Sequence, residues 1–353
     1  MDMILRRGKD ALFAAALVGL GLLFAAFPAR AGESFAAALQ ACASSLLPAL
    51  FPFFVIGRLL VECPGSEVLA RPLRPLCRFL GLPGPKAPLL LFLGWLGGYS
   101  ALAAALSAAL NRGEISPGEG ERLLVAGVIS SPGFTAAVGG NMLGRPALGW
   151  AFYGSALAAN LLCALALRAF CGPLSCRLET APPPAALPAG LGGAIAGGAS
   201  ACLSVCGCVV FFRMLLSPLS GQGFLPPLGG AALAGLAEVS SGCLAWAALG
   251  GGAALWGCCG AMSLLSLSVW SQLKALLGGR CSLRLLALTR PAHLGLSFLC
   301  MRLVLRLMPG ESDALSTLAP RVISTWRLAP DRAFLLFALC CLTLQALAAG
   351  QAE

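Results

Sequence analysis

The sequence predicts an all-α polytopic membrane protein made of two inverted repeats, each with a re-entrant or broken-helix hairpin. Three observations carry this. Hydrophobic residues fill 58% of the 353 positions against 11% charged, with a mean hydropathy of +0.87, far from soluble averages. The 24 basic and 14 acidic residues bunch between apolar stretches, each about as long as the ~20 residues a bilayer crossing needs. Those stretches are interrupted by Gly and Ser at matching places on either side of a Pro-rich segment.

Each element follows from its residues. Residues 11–28 are apolar, preceded by Arg6, Arg7 and Lys9 and followed by Ala29-Arg30-Ala31, which has the form of a signal-peptidase site. Eighteen apolar residues are long for a signal core and further spans follow at once, so the segment reads as a retained helix. Residues 34–47, short and weakly amphipathic, complete an N-terminal unit over 1–47. The first repeat covers 48–170. Its apolar run 48–61 holds Pro48 and Pro52, which should kink it, and a basic linker 62–87 follows. The apolar run 88–111 is interrupted at Gly97-Gly98-Tyr99-Ser100. Ser116-Pro117-Gly118-Glu119 reads as a capping box with proline at the first helical position. The helix it opens runs to about Gly144 with a break at Ser130-Ser131-Pro132-Gly133, and 147–167 is another span.

Residues 171–190 include Ala181-Pro-Pro-Pro-Ala-Ala-Leu-Pro188, which can neither form a helix nor pack, and read as a linker. The second repeat, 191–309, has the same order. A span (191–216) precedes an apolar stretch (224–249) broken at Glu238-Val-Ser-Ser-Gly242. A span (252–272) with Ser263, Ser266 and Ser268 at its middle comes next, then a basic turn with Lys274, Arg280, Arg284 and Arg290, and a span from 291 to 308. A loop and a final span at 333–349 fill 310–353. If both interrupted stretches dip into the membrane and return, fifteen basic residues fall on one side and five on the other; full crossings weaken that bias. The positive-inside rule then predicts eight spans, two re-entrant hairpins, both termini cytoplasmic and a second repeat upside down relative to the first.

Chemistry concentrates at the interruptions. Glu238 alone among the acidic residues sits inside an apolar stretch, with no charged neighbour for twenty residues either way. Burying a carboxylate there costs at least ~2.5 kcal/mol on insertion scales. It reads as the site of a coupling cation or proton, or an acceptor for substrate; the competing reading is a structural Glu, protonated or paired with Arg. Ser100, Ser131 and Ser241 stand where half-helices would begin and read as N-caps. Half-helix N-termini pointed at the midplane favour an anionic solute such as a carboxylate, although Gly and Ser also serve close helix packing in membranes. The candidate substrate-binding residues are Gly98, Tyr99, Ser100, Ser130, Ser131, Glu238, Ser240, Ser241, Ser266 and Gln272, with Glu238 also the candidate coupling residue. Asn141, Asn160, Arg302 and Arg306 are lesser candidates; the two arginines are four apart and read as snorkelling side chains. Glu238→Gln is expected to preserve folding and to lower transport more than about tenfold.

The composition also excludes. No GxxxxGK[ST], GxSxG, HExxH or GxGxxG occurs, so nothing points to an enzyme. The sixteen cysteines include no CxxC and lie mostly in apolar runs, where they read as packing residues. Cys206-Gly207-Cys208 and the pair Cys171, Cys176 are weak metal candidates, since histidine occurs only at His293; no metal or cofactor is expected. The net charge of +10 belongs to loops, so the expected partners are the lipid bilayer and a small anionic solute, with no nucleic acid.

Several of these runs resemble, in order, one family. Leu47-Pro-Ala-Leu-Phe-Pro-Phe-Phe-Val-Ile56, Gly97-Gly-Tyr-Ser100, Gly113-Glu-Ile-Ser-Pro-Gly-Glu-Gly-Glu-Arg-Leu-Leu124 and Ile129-Ser-Ser-Pro-Gly-Phe134 are similar to motifs of the sporulation integral membrane proteins of the YlbJ type, also called SpoVV, which carry the nucleoside-recognition Gate domain. Leu236-Ala-Glu-Val-Ser-Ser-Gly242 and Ser266-Leu-Ser-Val-Trp-Ser-Gln272 agree in the second half. The resemblance spans roughly residues 11–310. It implies a relative of concentrative nucleoside transporters that exports dipicolinic acid from the mother cell during endospore formation. Its membrane would be the plasma membrane, in sporulating cells the mother-cell-derived outer forespore membrane. The chain departs from the family pattern at Gly97-Gly98-Tyr99-Ser100 and at Ser130-Ser131, where the family favours Ser-Gly-Tyr-Pro and paired asparagines. Both fall at expected substrate contacts. The alternatives are a non-transporting membrane scaffold and a nucleoside-type transporter acting in spore maturation.

Overall fold

A computed structural model describes residues 2–63, 65–172, 190–218 and 225–308. The expected linker within 173–189 and the expected C-terminal span at 333–349 lie outside them.

Helix α1 (Asp2–Ala26) meets α2 (Pro28–Ala41) at a 95° bend on Phe27, where Pro28 offers no amide hydrogen to continue the ladder. The small-x-small run falls inside α2, with Ala31 buried. A π turn over Cys42–Leu46 leads into α3 (Leu47–Glu62). Pro48 cannot donate to the carbonyl four residues back, and the widened turn before it absorbs the mismatch. The expected kink thus takes the form of a π turn ahead of a helix that contains Pro52.

The linker after α3 is pinned by charge. Lys86 Nζ lies 2.9 Å from Glu67 Oε1 and donates to the Val61 carbonyl at 3.1 Å. That ammonium holds the Glu67 carboxyl below its ordinary range. Short α4 (Arg74–Phe79) precedes α5 (Ala87–Gly97) and α6 (Tyr99–Asn111), which fold back on each other about Gly98. The close approach needs Gly94, where a Cβ would come 3.1 Å from that of Leu102.

Helix α7 (Pro117–Gly127) starts at the expected cap: the Ser116 hydroxyl accepts from Glu119 N at 3.2 Å. The box is only half closed, because the Glu119 carboxylate accepts instead from Gly84 N at 2.7 Å. Extended backbone at 128–131 separates α7 from α8 (Pro132–Ala137), which a π turn extends to Met142, and α9 (Pro146–Cys171) follows. The second half runs α10 (Gly190–Leu216), the hairpin α11 (Pro227–Ala237) and α12 (Val239–Leu249), then α13 (Gly251–Leu264), α14 (Leu267–Leu277) and α15 (Arg284–Arg306). In α11–α12 the backbones touch at Gly235 and Gly242, and a Cβ on Gly242 would collide with Gly235.

This is an all-α, multi-pass membrane protein. Among the described residues four helices are long and apolar enough to cross a bilayer, Pro117–Met142, Pro146–Cys171, Gly190–Leu216 and Gly251–Leu277, or five if α1 and α2 form one bent span. Of the expected eight, α3 has only 16 residues, and α15 is long enough but made too polar by Arg290 and His293 on its buried face. The two interrupted spans sit inside: 61% of each apolar window is buried, against 28% for the continuous α9 and α10. Trp150, Leu162, Leu203 and Phe211 on those outer helices are exposed, as lipid contact requires.

Candidate functional site

The expected substrate-binding residues fall into two groups, and a third group centres on a residue read from the sequence as part of a basic turn. At the first hairpin tip Gly98 has φ +83° and ψ −176°, a region essentially reserved for glycine. A Cβ there would lie 3.0 Å from Ser131 N and 3.2 Å from Ser131 Cβ, so the tip rests on the break of the α7–α8 span. Ser131 caps α8 as expected, accepting from Phe134 N at 3.3 Å. Ser100 does not cap α6. It is buried and donates to Gln272 Oε1 on α14 at 3.1 Å, joining the two halves, while Gln272 Nε2 donates to Ser268 Oγ at 3.0 Å. Ser266 caps α14 through Val269 N at 3.3 Å. Both broken spans therefore restart on a serine. Tyr99 is half-buried against the main core, and Trp95 and Tyr153 hold the hairpin close to its tip: Trp95 Nε1 donates to Ala126 O and the Tyr153 hydroxyl to Trp95 O.

The second group is Glu238, Ser240 and Ser241. The break falls on Glu238 itself, so Ser241 lies in the first turn of α12 and the carboxylate is the cap. Oε1 accepts from Ser240 N at 2.9 Å, and Oε2 from Ser241 N and Ser241 Oγ, each at 2.8 Å, and from Ser240 Oγ. Arg213 of α10 donates through Nε to Ser241 Oγ at 2.6 Å and stands 3.5 Å from Glu238 Oε2. Glu238 is 2% exposed and its acceptor capacity is used within its own turn and by Arg213. This is the Arg-paired arrangement that the sequence offered as the competing reading.

In the third group Asn160 was among the lesser candidates, but its centre, Arg290, was missed by sequence reasoning. Arg290 is no loop residue: it is buried on α15, between the broken ends of both interrupted spans. Nη2 donates to Val128 O and to Asn160 Oδ1, both at 3.4 Å, and Nη1 to Ser263 O at 3.5 Å. Asn160 Nδ2 donates to Val128 O at 3.0 Å. The spacing Arg290, His293, Ser297, Met301 marks one helical face, a signal the adjoining basic run conceals. Asn141, Arg302 and Arg306 are exposed, the arginines as snorkelling requires.

Two spaces adjoin these groups. A small cavity is lined by Val128, Ser130, Thr135, Cys259, Arg290 and His293 among others. A cleft of about 370 Å³ opens between α3, α6, α10 and α14, lined by small residues with Arg58, Ser107, Asn111, Ser200 and Ser204. Of the expected substrate-binding residues only Ser130 lines either. Among the described residues no three His, Cys, Asp or Glu side chains gather as a metal site, the cysteines are free, and Cys206 is buried. Compared with protein-family models, curated proteins and solved structures, the chain matches none.

Proposed function

We propose that the chain is a membrane transporter of a small anionic solute, working by alternating access between two inverted repeats. The observation that carries the reading is the repeated order of elements: a helix (α3, α10), a hairpin (α5–α6, α11–α12), an interrupted span (α7–α8, α13–α14) and a closing helix (α9, α15). Broken helices gathered inside a bundle are costly in lipid and are the means by which transporters place backbone groups at a midplane site. The cleft of about 370 Å³ between α3, α6, α10 and α14 is of solute size, and the bond from Ser100 to Gln272 ties α6 to α14, two of the helices that line it. The resemblance to the YlbJ-type family makes dipicolinate the first solute to try, and the outer forespore membrane of sporulating cells the first place to look. With Glu238 engaged by Arg213, solute contacts are better sought at Tyr99, Ser100 and Gln272 than at that carboxylate.

Uptake of labelled dipicolinate into proteoliposomes of the purified chain tests this. Saturable uptake that other dicarboxylates compete for is expected. Uptake equal to protein-free liposomes for dipicolinate, nucleosides and simple dicarboxylates alike would overturn the transport reading in favour of a scaffold.

A further inference from the structure

We propose that the cavity beside Arg290 holds one small monovalent anion of halide size, bound between the break of the α7–α8 span, α9, α13 and α15. Arg290 is 3% exposed, and a guanidinium keeps its charge in any protein environment. No described carboxylate lies within ion-pair distance of it. What it meets are carbonyls. Val128 O and Ser263 O belong to the C-terminal ends of α7 and α13, whose partial negative charge favours a cation and helps the guanidinium bear burial. Yet those contacts are long, at 3.4–3.5 Å, and Nε, wholly buried, has no acceptor.

A second observation points the same way. Ser130 Oγ is also buried without a partner and lines the same cavity. Two donors, the Nε–H of Arg290 on α15 and the hydroxyl of Ser130 in the break of the α7–α8 span, thus belong to residues that line one space, with nothing to receive them. His293 does not supply the acceptor. Its Nε2–H donates to the Ala156 carbonyl at 3.3 Å and its Nδ1 pairs with Ser297 Oγ at 3.4 Å, so both ring nitrogens are engaged elsewhere. The cavity, about 10 Å³, is on the scale of one water or one monatomic ion and too small for a dicarboxylate. Water would satisfy the two hydrogens and leave the charge. An anion satisfies both, and a buried ion without a counter-ion is among the costliest features a fold can keep. The site is distinct from the solute cleft, and its occupancy does not depend on transport.

Thermal unfolding of the full chain in detergent, with chloride exchanged for gluconate at constant ionic strength, reads occupancy directly. Chloride is expected to raise Tm saturably, by about 3 °C, with bromide equivalent and sulfate without effect. Arg290→Gln should remove the halide response. Should that variant fail to fold, Ser130→Ala carries the test: it should weaken the apparent Kd for chloride about tenfold or more, as loss of one hydrogen bond to an anion implies. A wild type whose Tm ignores halides, a Ser130→Ala or Arg290→Gln protein with the wild-type halide response, or stabilisation by formate but by no halide would each overturn the proposal. A chain that transports nothing yet binds chloride would leave it standing.

Discussion

At the first hairpin tip the chain turns on Gly98, in backbone only glycine adopts cheaply, and α6 begins without a side-chain cap. At the second it turns on Glu238 in ordinary extended backbone, and the carboxylate caps α12. The difference decides what each tip has left to offer. With the turn made by backbone alone, Ser100 is free to reach α14 in the other half. With the turn made by a side chain, Ser240 and Ser241 are consumed locally and the remaining contact is Arg213 on the adjacent helix. One tip is stitched across the molecule; the other is closed on itself. Identical outlines, a hairpin in each half, thus conceal different chemistry.

The largest test of this contrast is Glu238→Ala, which removes the cap and strands Arg213 beside it. A buried pair broken on one side costs about 3–5 kcal/mol, so severe loss of thermal stability in detergent is expected. Arg213→Met in the same chain should recover part of it, and a double-mutant cycle should return a coupling of about 0.5–3 kcal/mol. Glu238→Gln also leaves Arg213 without its counter-charge, so the structure predicts a stability loss where the sequence alone predicts a folded protein with impaired transport. If Glu238→Gln melts at the wild-type temperature, the pairing is not what the carboxylate is for. Next in size is Gly98→Ala. The conformation itself costs about 1–3 kcal/mol for any other residue, and the new methyl meets Ser131. Equal effects of Gly98→Ala and Glu238→Ala on transport would erase the contrast; a transport defect out of proportion to the Tm change is expected for Gly98→Ala alone. Smallest is Ser100→Ala, about 1 kcal/mol for one hydrogen bond, with reduced amide protection measured by hydrogen exchange at both α6 and α14.

The positions of the breaks were legible in the sequence because their causes are local. Gly98, Ser131-Pro132 and Ser266 each carry the punctuation at the residue that uses it. Glu238 was found for the right reason, its isolation, but the cap was placed three residues late on Ser241, since serine is the commoner cap and nothing local tells a glutamate to turn back on its own amides. Arg290 was unreadable for the opposite reason. Its neighbours Arg280 and Arg284 do belong near a turn, and only the three-dimensional fold carries the third arginine into the interior. Likewise Arg213, at the end of an apolar run, gave no sign of meeting Glu238 25 positions away.

The Val128 carbonyl has a consequence for how the protein is made. It lies in the unwound part of Pro117–Met142 and is satisfied by Asn160, about thirty residues later, and by Arg290, more than a hundred and sixty residues later. A carbonyl left bare in hydrocarbon costs several kcal/mol. When the ribosome has delivered only the first half to the membrane, α9 can already cover that group through Asn160, but the second donor has not yet been synthesised. Insertion of the early spans therefore runs ahead of their consolidation, and the first half completes its own interior only when α15 emerges.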